Sequence, residues 1–140
     1  MGLELCFHGL AMRPGKPLMA GHFDNTPLIG LPGNPASAMI CCFVLIQPVI
    51  KQMMGLQSAR KKINAILKSP LGKNGLREHY MRSILSFSND TFFVDPLKRQ
   101  DSSLLSELSL SNALLVRPIS DPKLCEGSTV QVIPFFNNVI

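Results

Sequence analysis

The stretch Leu31-Pro32-Gly33-Asn34-Pro35-Ala36-Ser37-Ala38, entered from the apolar run Pro27-Leu28-Ile29-Gly30, decides how this chain is read. A strand-like run gives way here to a long apolar segment. Asn34 is a favoured helix N-cap. Pro35 suits the first helical position, where its missing N–H would have had no intrahelical partner. Gly33 lets the backbone come close to whatever lies above the turn. Free N–H groups at a helix start attract anions. Upstream, Arg13-Pro14-Gly15-Lys16-Pro17 forms a second stiff, glycine-punctuated turn that carries two cations. Either turn alone reads as structural; the pair suggests a pocket for a phosphate-like or oxyanion ligand.

Working outward, a helix is expected from Pro35 to about Met54, kinked or broken near Pro48 and stopped at Gly55. Its apolar part, Ala36 to Ile50, falls short of the roughly 20 residues of a membrane span and reads as a buried helix. Before it, Leu3, Leu5 and Phe7 alternate with Glu4, Cys6 and His8, so Leu3 to Met12 reads as a strand. An extended piece Leu18 to Gly21, a turn His22 to Thr26 and a strand Pro27 to Leu31 follow. This order predicts the C-terminal part of an α/β layer over residues 1–56.

After about Gln57 the texture changes to short alternating segments. Strands are expected at Lys62–Leu67, Glu78–Phe87, Thr91–Val94, Ala113–Val116 and Thr129–Ile133. Ser102 or Ser103 can cap a short helix through Leu110, with Leu104, Leu105 and Leu108 turned inward. Residues 57–140 thus predict a small β-rich, barrel-like domain.

Composition narrows the function. With 46% hydrophobic and 16% charged residues in 140, the chain can bury a core, and its composition argues against disorder. The formal charge is +5, with most of the excess after Leu56 in Arg60-Lys61-Lys62, Lys68, Lys73, Arg77, Lys98 and Arg99. These cations alternate with apolar residues and lack interleaved aromatics, so they read as a solvated face rather than a nucleic-acid surface. Cys6, Cys41, Cys42 and Cys125 form no C-x-x-C pair, which points to reduced thiols and a cytoplasmic setting. The start lacks the basic region and cleavage motif of a signal peptide.

Before residue 57 the acids are Glu4 and Asp24 alone, so the anion-binding half of a phosphoryl-type site is present while its metal-holding half is absent. His8, His22 and His79 have no companions at ligand spacing. Tyr80 and Arg82 read as structural, and Ser37 as a residue that can reach back to the cap.

The same residues carry a resemblance. Ala11-Met12-Arg13-Pro14-Gly15-Lys16-Pro17 with Gly30-Leu31-Pro32-Gly33-Asn34-Pro35-Ala36-Ser37-Ala38 resembles the molybdopterin molybdotransferases, the MoeA and gephyrin E-domain family. The match continues through Arg77 to Leu85, Gln100-Asp101-Ser102, Leu108 to Ala113 and Gly127 to Val132, in collinear order. It implies the C-terminal portion of such an enzyme: the end of a molybdopterin-binding α/β domain, then a small β-clip type barrel. It implies transferase activity in molybdenum cofactor synthesis, with adenylylated molybdopterin and molybdate as substrates, AMP as product and magnesium present.

Carried over by position, Arg13 and Lys16 face the oxyanion or pterin groups, Pro32 and Pro35 shape the pocket floor with Gly33 and Asn34, and Ser102 is brought to the cleft. Asp101 stands where the family usually has glycine. Family members are much longer, and the aspartate-bearing segment that holds magnesium has no counterpart in this chain. That leaves a second reading, a non-catalytic module binding pterin or a protein partner, or the remnant of a truncated gene. Half an α/β layer leaves apolar surface uncovered, so self-association is expected.

Overall fold

The computed structural model describes residues 2–56, 61–100 and 108–135. Strands β1 (Leu3–His8), β3 (Met19–Phe23) and β4 (Thr26–Gly30) form an antiparallel sheet in the order β1-β3-β4. The expected strand Leu3 to Met12 is two pieces: Gly9, at φ 88°, ends β1, and Met12–Arg13 forms the short β2 in the other sheet. The turn expected over His22 to Thr26 is also tighter, since β3 runs through Phe23, β4 begins at Thr26 and Asp24 takes φ 51°.

The helix begins as α1 (Pro35–Cys41), passes through a π-helical turn (Cys42–Ile46) and ends as α2 (Gln47–Met53). Pro48 has no N–H to donate and its ring crowds the preceding turn. The wider turn just upstream, where Gln47 N–H reaches the Cys42 carbonyl, absorbs that conflict, so the helix is neither broken nor ended there. Gly55 ends it in a left-handed conformation at φ 72°. Its N–H bonds the Gln52 carbonyl at 3.0 Å, and Leu56 N–H bonds the Lys51 carbonyl at 2.9 Å. The expectation of a buried helix holds only for its start: Ala36, Ser37, Ile40 and Cys41 are buried, whereas Val49, Ile50, Met53 and Met54 are exposed. Pro35–Met53 is long and apolar enough to cross a membrane by length and composition.

The second sheet contains the five expected strands, β5 (Ile63–Leu67), β6 (Glu78–Ser88), β7 (Thr91–Pro96), β8 (Ala113–Arg117) and β9 (Thr129–Pro134). Neighbours run β6-β7-β5-β9-β8, and β8 returns to β6, so the barrel closes. Asn89 and Asp90, at φ 49° and 56°, make the two-residue turn joining β6 to β7. Inward residues Ala65, Leu67, Leu85, Val94, Ala113, Leu115, Val130 and Val132 fill the barrel.

A second core lies outside it. Tyr80, Leu114, Val116 and Ile133 on the barrel's outer face pack against Met12, Leu18, Ile40 and Cys41. All five residues of β8 are buried because both faces of that strand are covered. The short β2 pairs in parallel with β6, setting Arg13 opposite His79. This outer core holds the cation-bearing turn against the barrel wall.

Candidate anion site

Asn34 caps α1 as expected: its Oδ1 accepts from Ser37 N–H at 3.1 Å, and its carbonyl accepts from Ala38 N–H at 2.9 Å. That geometry limits what the helix start offers an anion. Pro35 has no N–H and Ser37 N–H is engaged by the cap, so within the first turn the Ala36 N–H alone has no partner among the described residues. The attraction for an anion must come chiefly from side chains.

Those side chains converge. A cavity of about 270 Å³ is lined by Arg13, Lys16, Arg77 and Arg82, together with Ala36, Ser37, His79, Tyr80 and Gln100. The cations come from two places: Arg13 ends β2 and Lys16 lies in the turn after it, while Arg77 immediately precedes β6 and Arg82 lies within it. Gly15 sits between, buried against the helix, where a Cβ would lie 2.9 Å from Cys41 Sγ. No carboxylate is among the described lining residues.

Gln100 holds Arg82 as a neighbouring strand would. Its Oε1 accepts from Arg82 N–H at 3.0 Å and its Nε2 donates to the Arg82 carbonyl at 2.9 Å. The buried Arg82 guanidinium donates to the Arg99 carbonyl at 3.3 Å. Tyr80 donates to Glu78 Oε2 at 2.6 Å; burial and then that bond push its phenol above the usual range. His79 is pushed the other way, down to about 4, first by burial and then by the positive field of Arg13, Arg117, Arg77 and Arg82. Its imidazole is therefore neutral at physiological pH.

Of the residues expected at a site, the structure brings Arg13 and Lys16 to the cavity. Pro32, Gly33, Asn34 and Pro35 do not line it: they set the helix start from which Ala36 and Ser37 reach it. Ser102 and the short helix expected after it lie outside the described residues, apart from its last turn at Leu108. Ser37, Tyr80 and Arg82, read as structural from sequence, line the cavity, as do Arg77 and His79. The signal for them was present in Ala113 to Val116, an unbroken apolar run that marks a strand covered on both faces. Something had to pack on the barrel's outer wall beside β6.

Magnesium does not fit the groups present. Among the described residues no cluster of three or more His, Cys, Asp or Glu side chains could hold a metal ion, and the cavity's electrostatics repel cations. Molybdate is a different matter, being an anion and a substrate.

An antiparallel sheet and helix present a cationic turn to the wall of a closed barrel, and this two-part architecture is what the family models match. Residues 1–52 match the family described as probable molybdopterin binding domain, and residues 64–135 match the MoeA C-terminal region (domain IV). The chain belongs to the MoeA family and carries its C-terminal portion. A molybdopterin molybdenumtransferase of Nostoc sp. is 30% identical over 95% of this chain and 32% of the relative. One from Haemophilus influenzae is 31% identical over 94% of this chain and 33% of the relative. A molybdopterin biosynthesis MoeA structure from Pyrococcus horikoshii superposes with TM-score 0.78 and 25% identity, covering 96% of this chain and 33% of that one. The chain thus spans about a third of the length of the relatives it matches.

Proposed function

We propose that this chain supplies the oxyanion-receiving part of a molybdopterin molybdotransferase, acting in the cytoplasm on adenylylated molybdopterin and molybdate. The observation that carries the reading is the cavity gathering Arg13, Lys16, Arg77 and Arg82 without a carboxylate among its described lining residues. Guanidinium and ammonium groups gathered at one cavity present charge-assisted donors to a tetrahedral dianion, with the buried Arg82 held in place by the Arg99 carbonyl. Molybdate and phosphate share that charge and shape. The cavity therefore suits either the incoming metal oxyanion or the phosphate of the adenylyl group that leaves as AMP. The Ser37 hydroxyl adds a neutral donor, whereas the Gln100 amide is spent on the Arg82 and Leu97 carbonyls and serves to hold Arg82 in place. In the complete reaction magnesium would be held by groups other than the described ones.

The test is AMP release from adenylylated molybdopterin with molybdate and magnesium. The chain is assayed alone and with a separately made N-terminal part of a MoeA relative. AMP release restored by that addition supports the reading. A second reading is a non-catalytic pterin- or protein-binding module. It would stand if the chain binds molybdopterin yet releases no AMP in either assay.

A further inference from the structure

We infer that His79 is the proton-accepting group of this cavity, taking up one proton from solvent when a dianionic oxyanion is seated among Arg13, Lys16, Arg77 and Arg82. The inference rests on the reading of the cavity as an oxyanion site and adds a linkage to it. His79 lines the cavity, is 9% exposed, and its ring makes no hydrogen bond or ion pair with another described residue. A buried imidazole that faces a cavity without a protein partner has its hydrogen-bonding capacity open to whatever water, ion or ligand enters there.

Position in the ladders explains its condition. His79 pairs with Arg13 on β2 and with Arg117 on β8, so a cation-bearing residue flanks it on both sides. It also meets the fields of Arg82 on its own strand and of Arg77 just before that strand, and Lys16 lines the same cavity. The nearby acids are engaged: Glu78 accepts from Tyr80, and Asp121 pairs with Arg117, whose guanidinium also donates to the Gly72 and Pro122 carbonyls. Nothing described offers His79 a negative partner, so the neutral form prevails in the empty cavity.

A dianion reverses that balance. Two negative charges among four cations cancel much of the field that disfavours the imidazolium, and an oxyanion oxygen can accept from the ring. One N–H bond forms at the ring as the matching bond to hydrogen in hydronium or the buffer acid breaks, and no bond of the oxyanion changes. By linkage, a ligand that raises the proton affinity of His79 must bind more tightly as pH falls.

Sulfate is the probe, because it stays a dianion across the range used. We expect its affinity for the wild-type chain to rise between pH 7 and pH 5, approaching about tenfold per unit where one proton is fully linked. Calorimetry in buffers of different ionisation enthalpy reads the proton directly. H79Q should lose the pH dependence and the proton uptake. NMR of the wild type keeps the inference testable if H79Q folds poorly. Saturating sulfate should move the titration of His79 upward. An unmoved His79 titration in a chain that binds sulfate, or proton uptake persisting in H79Q, would overturn the inference. Absence of sulfate binding at every pH would instead overturn the oxyanion reading beneath it.

Discussion

Gly15 bears directly on Cys41: a Cβ at position 15 would lie 2.9 Å from the Cys41 Sγ and 3.0 Å from Met12 Cε. That approach sets how near Arg13 and Lys16 stand to the helix, and it exists because the turn residue has no side chain. Gly15 also takes φ 117°, a conformation that side chains disfavour.

Gly15→Ala is therefore expected to destabilise the fold by about 1–3 kcal/mol. Because the turn must shift, sulfate binding should weaken in the same variant. Urea denaturation and calorimetry check the two effects. Unchanged stability would mean the turn moves freely and does not position the cations.

Asn34→Ala removes the acceptor that holds Ser37 N–H at 3.1 Å. The expected loss is about 1 kcal/mol, and Asn34→Asp or Asn34→Ser should recover most of it. The denaturation midpoints of the three variants decide the point.

The stability profile with pH follows from His79. Its native value of about 4 lies below the ordinary 6.5, so between those limits the unfolded chain binds more protons at this residue. Stability should fall as pH drops through that window and be fully present above it, by about 3 kcal/mol at most. H79Q should flatten this part of the profile. Unfolding measured from pH 7.5 down to pH 4.5 in chloride buffer tests the slope.

Leu3, Leu5, Phe23 and Leu28 share one face of the antiparallel sheet and are 50%, 51%, 50% and 39% exposed. Contiguous apolar surface of this kind drives association. The chain alone is expected to form dimers or larger assemblies, and a Leu5→Lys, Phe23→Lys double variant should shift it toward monomer. A wild-type monomer in light scattering at working concentration contradicts this.

The barrel strands were legible because alternation is a local property of sequence, and the cap at Asn34 and stop at Gly55 because their chemistry lies within four residues. The site was legible only in part. Arg13 and Lys16 announced themselves by their turn, whereas Arg77, His79 and Arg82 reach the cavity through pairing of β2 with β6. Two residues, Met12 and Arg13, make that ladder, too few to leave a period. Nor does a strand pattern say what packs on its second face. Helix geometry and capping also engage the amides that the turn motif alone had suggested as anion ligands.

The central claim is that four cations converge on one oxyanion seat. Its most direct test is molybdate binding by calorimetry to the wild type, Lys16→Gln, Arg77→Gln and Lys98→Gln, the last altering an exposed cation outside the cavity. The account predicts about tenfold weaker binding for each cavity variant, as expected for losing one charge-assisted bond, and a near-wild-type constant for Lys98→Gln. Equal losses in all three would contradict it, since diffuse positive charge rather than a built site would then hold the anion.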